Sequence, residues 1–177
     1  EIDVSILPKE IDIEKVKEIY NEVNSLITSN ISANVIERLK DNPDIGDWVA
    51  TGLAIHKTYD SDNCEFCGQA LPGNCINNLE AHYNKEYQEL IDSITELATK
   101  LEQGIRTELV NESHLLFQNL TESYNNSLAE TNADIKLVNT KIQDLINVLA
   151  SKKSNPFVTQ EKVVFDNEVF KNFNIHL

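Results

Sequence analysis

Methionine is absent from the 177 residues, glycine occurs five times, proline four times and tryptophan once. So few turn-formers exclude a β-rich domain, which needs a reversal about every dozen residues, and leave helix as the default. Basic side chains are also scarce: 15 Lys and Arg stand against 29 Asp and Glu, a net charge of −14. That balance excludes a surface tracking nucleic-acid phosphates, which needs clustered cations, so no direct contact with DNA or RNA is expected. The acidic faces read first as solvated helix surface and secondarily as a complement to a basic protein partner. No apolar run approaches the ~18–20 residues that span a bilayer, and the start Glu1-Ile2-Asp3 has no feature of a secretory signal. The expectation is a soluble, cytoplasmic chain without membrane contact. The missing initiator Met makes it read as an excised part of something longer.

What is present is helical periodicity. Asp12 is placed to cap a helix over residues 13–28 with Ile13, Val16, Tyr20, Val23 and Ile27 on one face. A short second helix is expected from Ile31 to Leu39, stopped by Asn42-Pro43. A third is expected from Asp44 to Lys57, with Trp48, Val49, Leu53 and Ile55 as its apolar bulk and His56 near its end. The pattern breaks between Tyr59 and Asn74. It resumes at about Ile76 and continues almost to Ser154.

Within that long stretch Tyr83, Tyr87, Leu90, Ile94, Leu97 and Leu101 repeat at alternating spacings of four and three, the a/d seam of a coiled coil. Ile135, Val138, Ile142, Leu145 and Leu149 form a second seam. Between them lie the weak helix formers Gly104 and Asn125-Asn126, so either a bend or a hairpin reversal is expected there. An uninterrupted helix would be about 75 residues and some 110 Å long; a hairpin would bury both seams without a partner. Lys152-Lys153 suit a helix C-terminus and Asn155-Pro156 stops it. The tail from Val158 to Phe170 is expected as a strand pairing with the Ile2 to Leu7 segment. The fold expected is therefore mainly α, a helical coiled-coil hairpin with a small knuckle and a minor β pair from the two termini. Its parts are a connector at 1–9, a short-helix subdomain at 10–75 with the knuckle at 59–75, coiled-coil helices at 76–154 and a return segment at 155–177.

Cysteine occurs three times, an odd number, and Cys64 and Cys67 are only three apart, a poor start for a disulfide framework. Two thiolates at that spacing converge when the backbone turns tightly, which Gly68 permits, so Cys64-Glu65-Phe66-Cys67-Gly68-Gln69 reads as a zinc knuckle. A structural zinc takes four ligands. Either His56, Cys75 or His82 completes the site within one chain, or two chains each supply one pair and the metal becomes a dimer contact. Unligated thiols and a redox dithiol are the alternatives, the latter without its usual βαβ surroundings. His114 and His176 lack companions at ligand spacing and are left out. No GxxxxGK[ST] loop, GxSxG elbow or HExxH helix occurs, so no nucleotide-hydrolysing or hydrolytic centre is expected in this chain.

The string Asp47-Trp48-Val49-Ala50-Thr51-Gly52-Leu53-Ala54-Ile55-His56, then Cys64-Glu65-Phe66-Cys67-Gly68-Gln69-Ala70-Leu71 and Leu79-Glu80-Ala81-His82-Tyr83, resembles a bacterial family of SMC-like, ABC-type ATPases, listed as AAA-domain proteins, that includes RloC-like anticodon nucleases. In that family a WV-x-x-GL-x-x-H helix precedes a C-x-FCG knuckle, which interrupts a coiled-coil insertion between the halves of an ATPase head. The resemblance is carried by residues 44–90. It implies a non-catalytic insertion with structural, signal-relay or dimerisation roles, partnered by the parent's ATPase heads, which alone would bind ATP. It implies zinc on Cys64 and Cys67, with His56 and His82 at recurring histidine positions that join the metal or its shell, and a homodimer through zinc or coiled coil as one use of the site. Cys75 matches no part of the pattern. The arm before the knuckle is short and broken at Pro43, unlike a zinc hook with two long arms, which favours a compact zinc-stabilised head. A metal-free coiled-coil adaptor is the rival reading.

Overall fold

Asp12 accepts the backbone N–H groups of Glu14 and Lys15 on its carboxylate at 3.2 and 3.3 Å, and so opens α1, Ile13–Thr28. The computed structural model describes residues 9–31 and 34–175. Six more α-helices follow among them: α2, Glu37–Lys40; α3, Pro43–Tyr59; α4, Cys75–His82; α5, Lys85–Glu102; α6, Gln118–Ser154; and α7, Glu168–Ile175. One 3-10 turn lies at Ser113–Leu115. Among the described residues the only β pairing is an isolated antiparallel bridge between Asn63 and Ala70, so the protein is mainly α. No helix among them is long and apolar enough to cross a membrane.

The chain divides into two compact units, each assembled from separated stretches of sequence. The first comprises Glu1–Ser25, Leu97–Leu149 and Lys162–Leu177; the second comprises Leu26–Glu96 and Ala150–Glu161.

In the first unit the buried residues include Tyr20, Val23, Leu97, Leu101, Ile135, Val138, Leu145, Leu149, Phe170 and Phe173. Tyr20 packs on Phe165 and Phe170 with ring centroids 5.1 and 6.5 Å apart. After α5 the chain does not continue as helix. It runs extended through residues 105–111 and returns along α6, so the reversal is a hairpin rather than a bent helix. The device that holds the extended segment is a column of asparagines every seven residues on α6. Asn139 accepts the N–H of Arg106 at 2.9 Å and donates to its carbonyl at 2.8 Å. Asn132 does the same for Leu109 at 2.7 and 3.0 Å, and Asn125 accepts from the Asn111 amide at 3.0 Å. The side-chain amide offers one donor and one acceptor in the spacing of a peptide group, so it substitutes for a neighbouring strand. The pattern recurs twice more: Asn24 clamps both backbone groups of Val163 at 2.9 and 2.7 Å, and Asn174 clamps those of Ile11, both at 2.8 Å.

These clamps correct one expectation. Val163 lies in an extended tail, but its partner is the Asn24 side chain rather than a strand, and Phe170 belongs to α7. The Ile2 to Leu7 segment, the expected strand partner, lies outside the described residues.

In the second unit α2 begins only at Glu37, because the preceding backbone is used elsewhere: the N–H of Asn34 donates to Ala81 at 3.3 Å and that of Ile36 to His82 Nδ1 at 3.2 Å. Helix α3 starts at Pro43, whose missing N–H costs nothing in a first turn. Gly46 lets it pack closely: a Cβ there would meet the Leu39 carbonyl at 3.1 Å, and the Tyr83 hydroxyl donates to the Gly46 carbonyl at 2.7 Å. A break at Tyr83-Asn84 divides the expected long helix into α4 and α5, where Asn84 accepts the N–H of Tyr87 at 3.0 Å as a new cap. Lys152 is not a solvated cation at the end of α6 but fully buried, its ammonium donating at 2.8 Å to the carbonyls of Ser29 and of Val158. Burial holds its pKa below the ordinary lysine value.

Candidate functional site at the cysteine knuckle

Helix α3 ends at Asp60, whose left-handed φ of 50° turns the chain away while its N–H still caps the carbonyls of His56 and Lys57. Beyond it the chain makes a small reversal. The N–H of Cys64 donates to Gln69 and that of Gly68 to Cys64, both at 2.7 Å, and Leu71 donates to Asp62 at 3.1 Å. Gly68, at φ 72°, takes the left-handed position that closes the turn. The loop puts Cys64 and Cys67 on the same tight turn, as their spacing predicts.

All three cysteines are free; Cys64 and Cys75 are half-buried and Cys67 is exposed. The Cys64 sulfur is approached by the backbone N–H of Cys67, then by that of Phe66, and by the Cys67 and His56 side chains, which together lower its pKa to about 7. Peptide N–H groups aimed at a sulfur stabilise its thiolate, the form that binds a metal.

His56 is oriented from behind. Its Nδ1 lies 2.7 Å from the Gly52 carbonyl, so this nitrogen carries the proton, and Nε2 accepts the N–H of Glu65 at 3.0 Å. The Gly52 carbonyl is the main cause of a raised imidazole pKa, with the Cys64 sulfur and Glu65 adding to it. This is how a metal-shell histidine is held, with its tautomer fixed by a carbonyl and its second nitrogen turned toward the site.

His82 has other surroundings. It is buried in α4, stacks on Phe157 at 4.8 Å and meets Tyr83 edge-on at 4.5 Å. Its Nδ1 holds the Ile36 N–H, and burial lowers its pKa. Thus His56 is brought to the cysteine pair, whereas His82 packs in the interior of its unit. Cys75 opens α4, its N–H donating to Pro72 at 2.9 Å. His114 is exposed, 3.7 Å from the Glu112 carboxylate, and His176 lies outside the described residues.

Among the described residues no group of three or more His, Cys, Asp or Glu side chains is arranged to hold a metal ion. The two thiols have the chemistry zinc selects, and in one chain they would supply at most two of the four ligands of a structural site. Phe66, beside the knuckle, is expected from sequence to cover the site or to pack in a core, and it does neither. Phe66, at the tip, is 84% exposed and touches Trp48, itself 62% exposed, edge to face at 6.1 Å. Ser61 donates to the Glu65 carboxylate across the loop, and Lys57 pairs with Glu80 at 2.7 Å, tying α3 to α4. Of the apolar bulk expected for α3, Leu53 is buried, whereas Trp48 and Ile55 face outward.

With this geometry in view, comparison with known families is decisive at one level. A family model described as an AAA domain, AAA_13, matches residues 3–176. The chain belongs to the AAA_13 family of AAA domains. It is thereby part of an AAA-type, ATPase-like protein. No curated protein and no solved structure matches this AAA_13 chain. The match runs almost end to end, although the sequence contains no GxxxxGK[ST] phosphate loop.

Proposed function

We propose that this AAA_13 chain is a non-catalytic helical insertion of a larger ATPase, in which zinc on Cys64 and Cys67 fixes the knuckle and the helices relay or receive the state of the ATPase heads. The observation that carries the reading is the tight turn that holds Cys64 and Cys67 together, closed by the Cys64–Gln69 and Gly68–Cys64 hydrogen bonds and by Gly68, with His56 held beside it. Cys64 and Cys67 would be direct ligands, and His56 a shell residue that steadies the loop through Glu65. When bound, zinc would supply cross-linking and no chemistry of substrates. The chain itself would contact neither nucleic acid nor membrane. The parent protein, by resemblance to RloC-like anticodon nucleases, would serve in phage defence, with its ATP-binding and any RNA-cutting centre outside this chain.

One observation favours a second reading, a metal-free helical adaptor: no three-donor group occurs among the described residues. Chelation separates the two. Loss of bound zinc with a change in circular dichroism supports the zinc knuckle, and protein that is zinc-free as purified, with unchanged helicity, supports the adaptor. RNA cleavage by the isolated chain would defeat both.

A further inference from the structure

On α3 the residues Ile45, Trp48, Gly52, Ile55 and Tyr59 recur at spacings of three, four, three and four, an a/d seam, and none of the four apolar side chains is buried. This face holds the only tryptophan of the chain and adjoins Phe66 at the tip of the knuckle. A Cβ at Gly52 would meet nothing within 4 Å, so the middle of the seam is a notch. We infer that this face is the surface through which two copies of the chain pair, with their α3 helices antiparallel and their knuckles adjacent.

Three observations select a second copy as the occupant. The seam is self-complementary when antiparallel. A twofold axis passing by Ala50 sets Trp48 of each copy opposite the Gly52 notch of the other, and Ile45 opposite Ile55, so a large side chain meets a gap in every central layer. The charges agree, because α3 has Asp44 in its first turn and His56 and Lys57 in its last. Antiparallel pairing brings the acidic end of one copy to the basic end of the other and opposes the two helix dipoles. The third observation is the unfinished ligand shell. One chain provides a cysteine pair and no group of three donors, and the pair sits beside the seam; a second copy brings the second pair that completes a four-thiolate site. This last argument, unlike the first two, rests on the zinc reading above.

The test is sedimentation of the 177-residue chain, zinc-loaded and chelated, beside the variants Gly52→Gln and Ile55→Glu. Gly52→Gln fills the notch while replacing a poor helix former at an open position, so the monomer keeps its helicity. The zinc-loaded chain is expected as a dimer with one zinc per two chains, and each variant is expected to weaken self-association at least tenfold with circular dichroism unchanged. A zinc-loaded monomer with one zinc per chain overturns the pairing and leaves the zinc reading standing. A dimer that resists both variants overturns this face as the interface. A dimer without zinc that both variants dissociate supports the face and defeats the zinc reading.

Discussion

Along α6, Ile135, Val138, Leu145 and Leu149 follow a heptad seam and are buried; along α3, Ile45, Trp48, Ile55 and Tyr59 follow the same spacing and stay open to solvent. The two seams cannot be told apart by their periodicity. What differs is the chain around them. The α6 seam lies in a unit whose extended segments are pinned to helices by asparagine amides at Arg106, Leu109, Val163 and Ile11. Against the α3 seam lies Phe66, the exposed aromatic tip of a short loop. Spacing tells which residues share a face; whether anything covers that face is decided by long-range contacts that spacing does not encode.

The largest test of the contrast is a matched pair of truncations. Ile135→Ala in the buried seam should cost about 2–5 kcal/mol of stability, whereas Ile55→Ala in the open seam should stay within about 0.5 kcal/mol for the monomer. Chemical denaturation of both variants, chelated to remove metal-linked association, reads the difference. Equal losses would mean that the α3 face is covered within the chain.

Next in size is Lys152→Ala. Two part-buried carbonyls, of Ser29 and Val158, would lose the buried ammonium that donates to them, and an acceptor left unsatisfied costs about 1–3 kcal/mol. The measurement is again a denaturation midpoint, with Lys153→Ala, on an exposed neighbour, as the control near zero.

The asparagine clamps should respond more modestly and in a graded way. Asn139→Asp keeps the acceptor for the Arg106 N–H but replaces the donor to the Arg106 carbonyl with a carboxylate oxygen. It should cost about 1–2 kcal/mol and raise amide hydrogen exchange across residues 105–111. Unchanged exchange there would show that the segment is held by something other than its clamps.

The smallest effect is a gain. Gly52→Gln in the chelated monomer should stabilise α3 by about 0.5–1 kcal/mol, because Gly is a poor helix former and the site is open. A loss instead would mean that the notch is already occupied within the chain.

Much of this architecture is legible in the sequence, and the parts that are not share a cause. Helix α1 falls at the residues expected because its cap and its stripe are both local signals. All six residues of the first seam are buried, as are four of the five in the second, Ile142 being half-buried. Helix α2 is shorter than expected because residues 34–36 spend their backbone groups on Ala81 and His82, far along the chain. The break at Asn84 is hidden because Tyr83 and Tyr87 keep the seam spacing across it. Periodicity alone does not choose between a hairpin and a bend before α6. The asparagines at 125, 132 and 139 do stand at heptad intervals and, as paired donors and acceptors, are a readable sign of a backbone laid along that face. At the site, the Cys64-Cys67 turn follows from spacing and from Gly68, whereas His56 is one of three candidates, with Cys75 and His82, that spacing does not separate. The surroundings of His82 do not follow from spacing either, since its packing against Phe157 joins residues 75 positions apart.

The most direct measurement is zinc per chain, by elemental analysis, on protein purified without added metal, beside a Cys64→Ser, Cys67→Ser double variant. Bound zinc is expected in the unaltered protein and none in the variant. Protein free of zinc as purified, or a metal content that the double substitution leaves unchanged, would contradict a zinc-fixed knuckle.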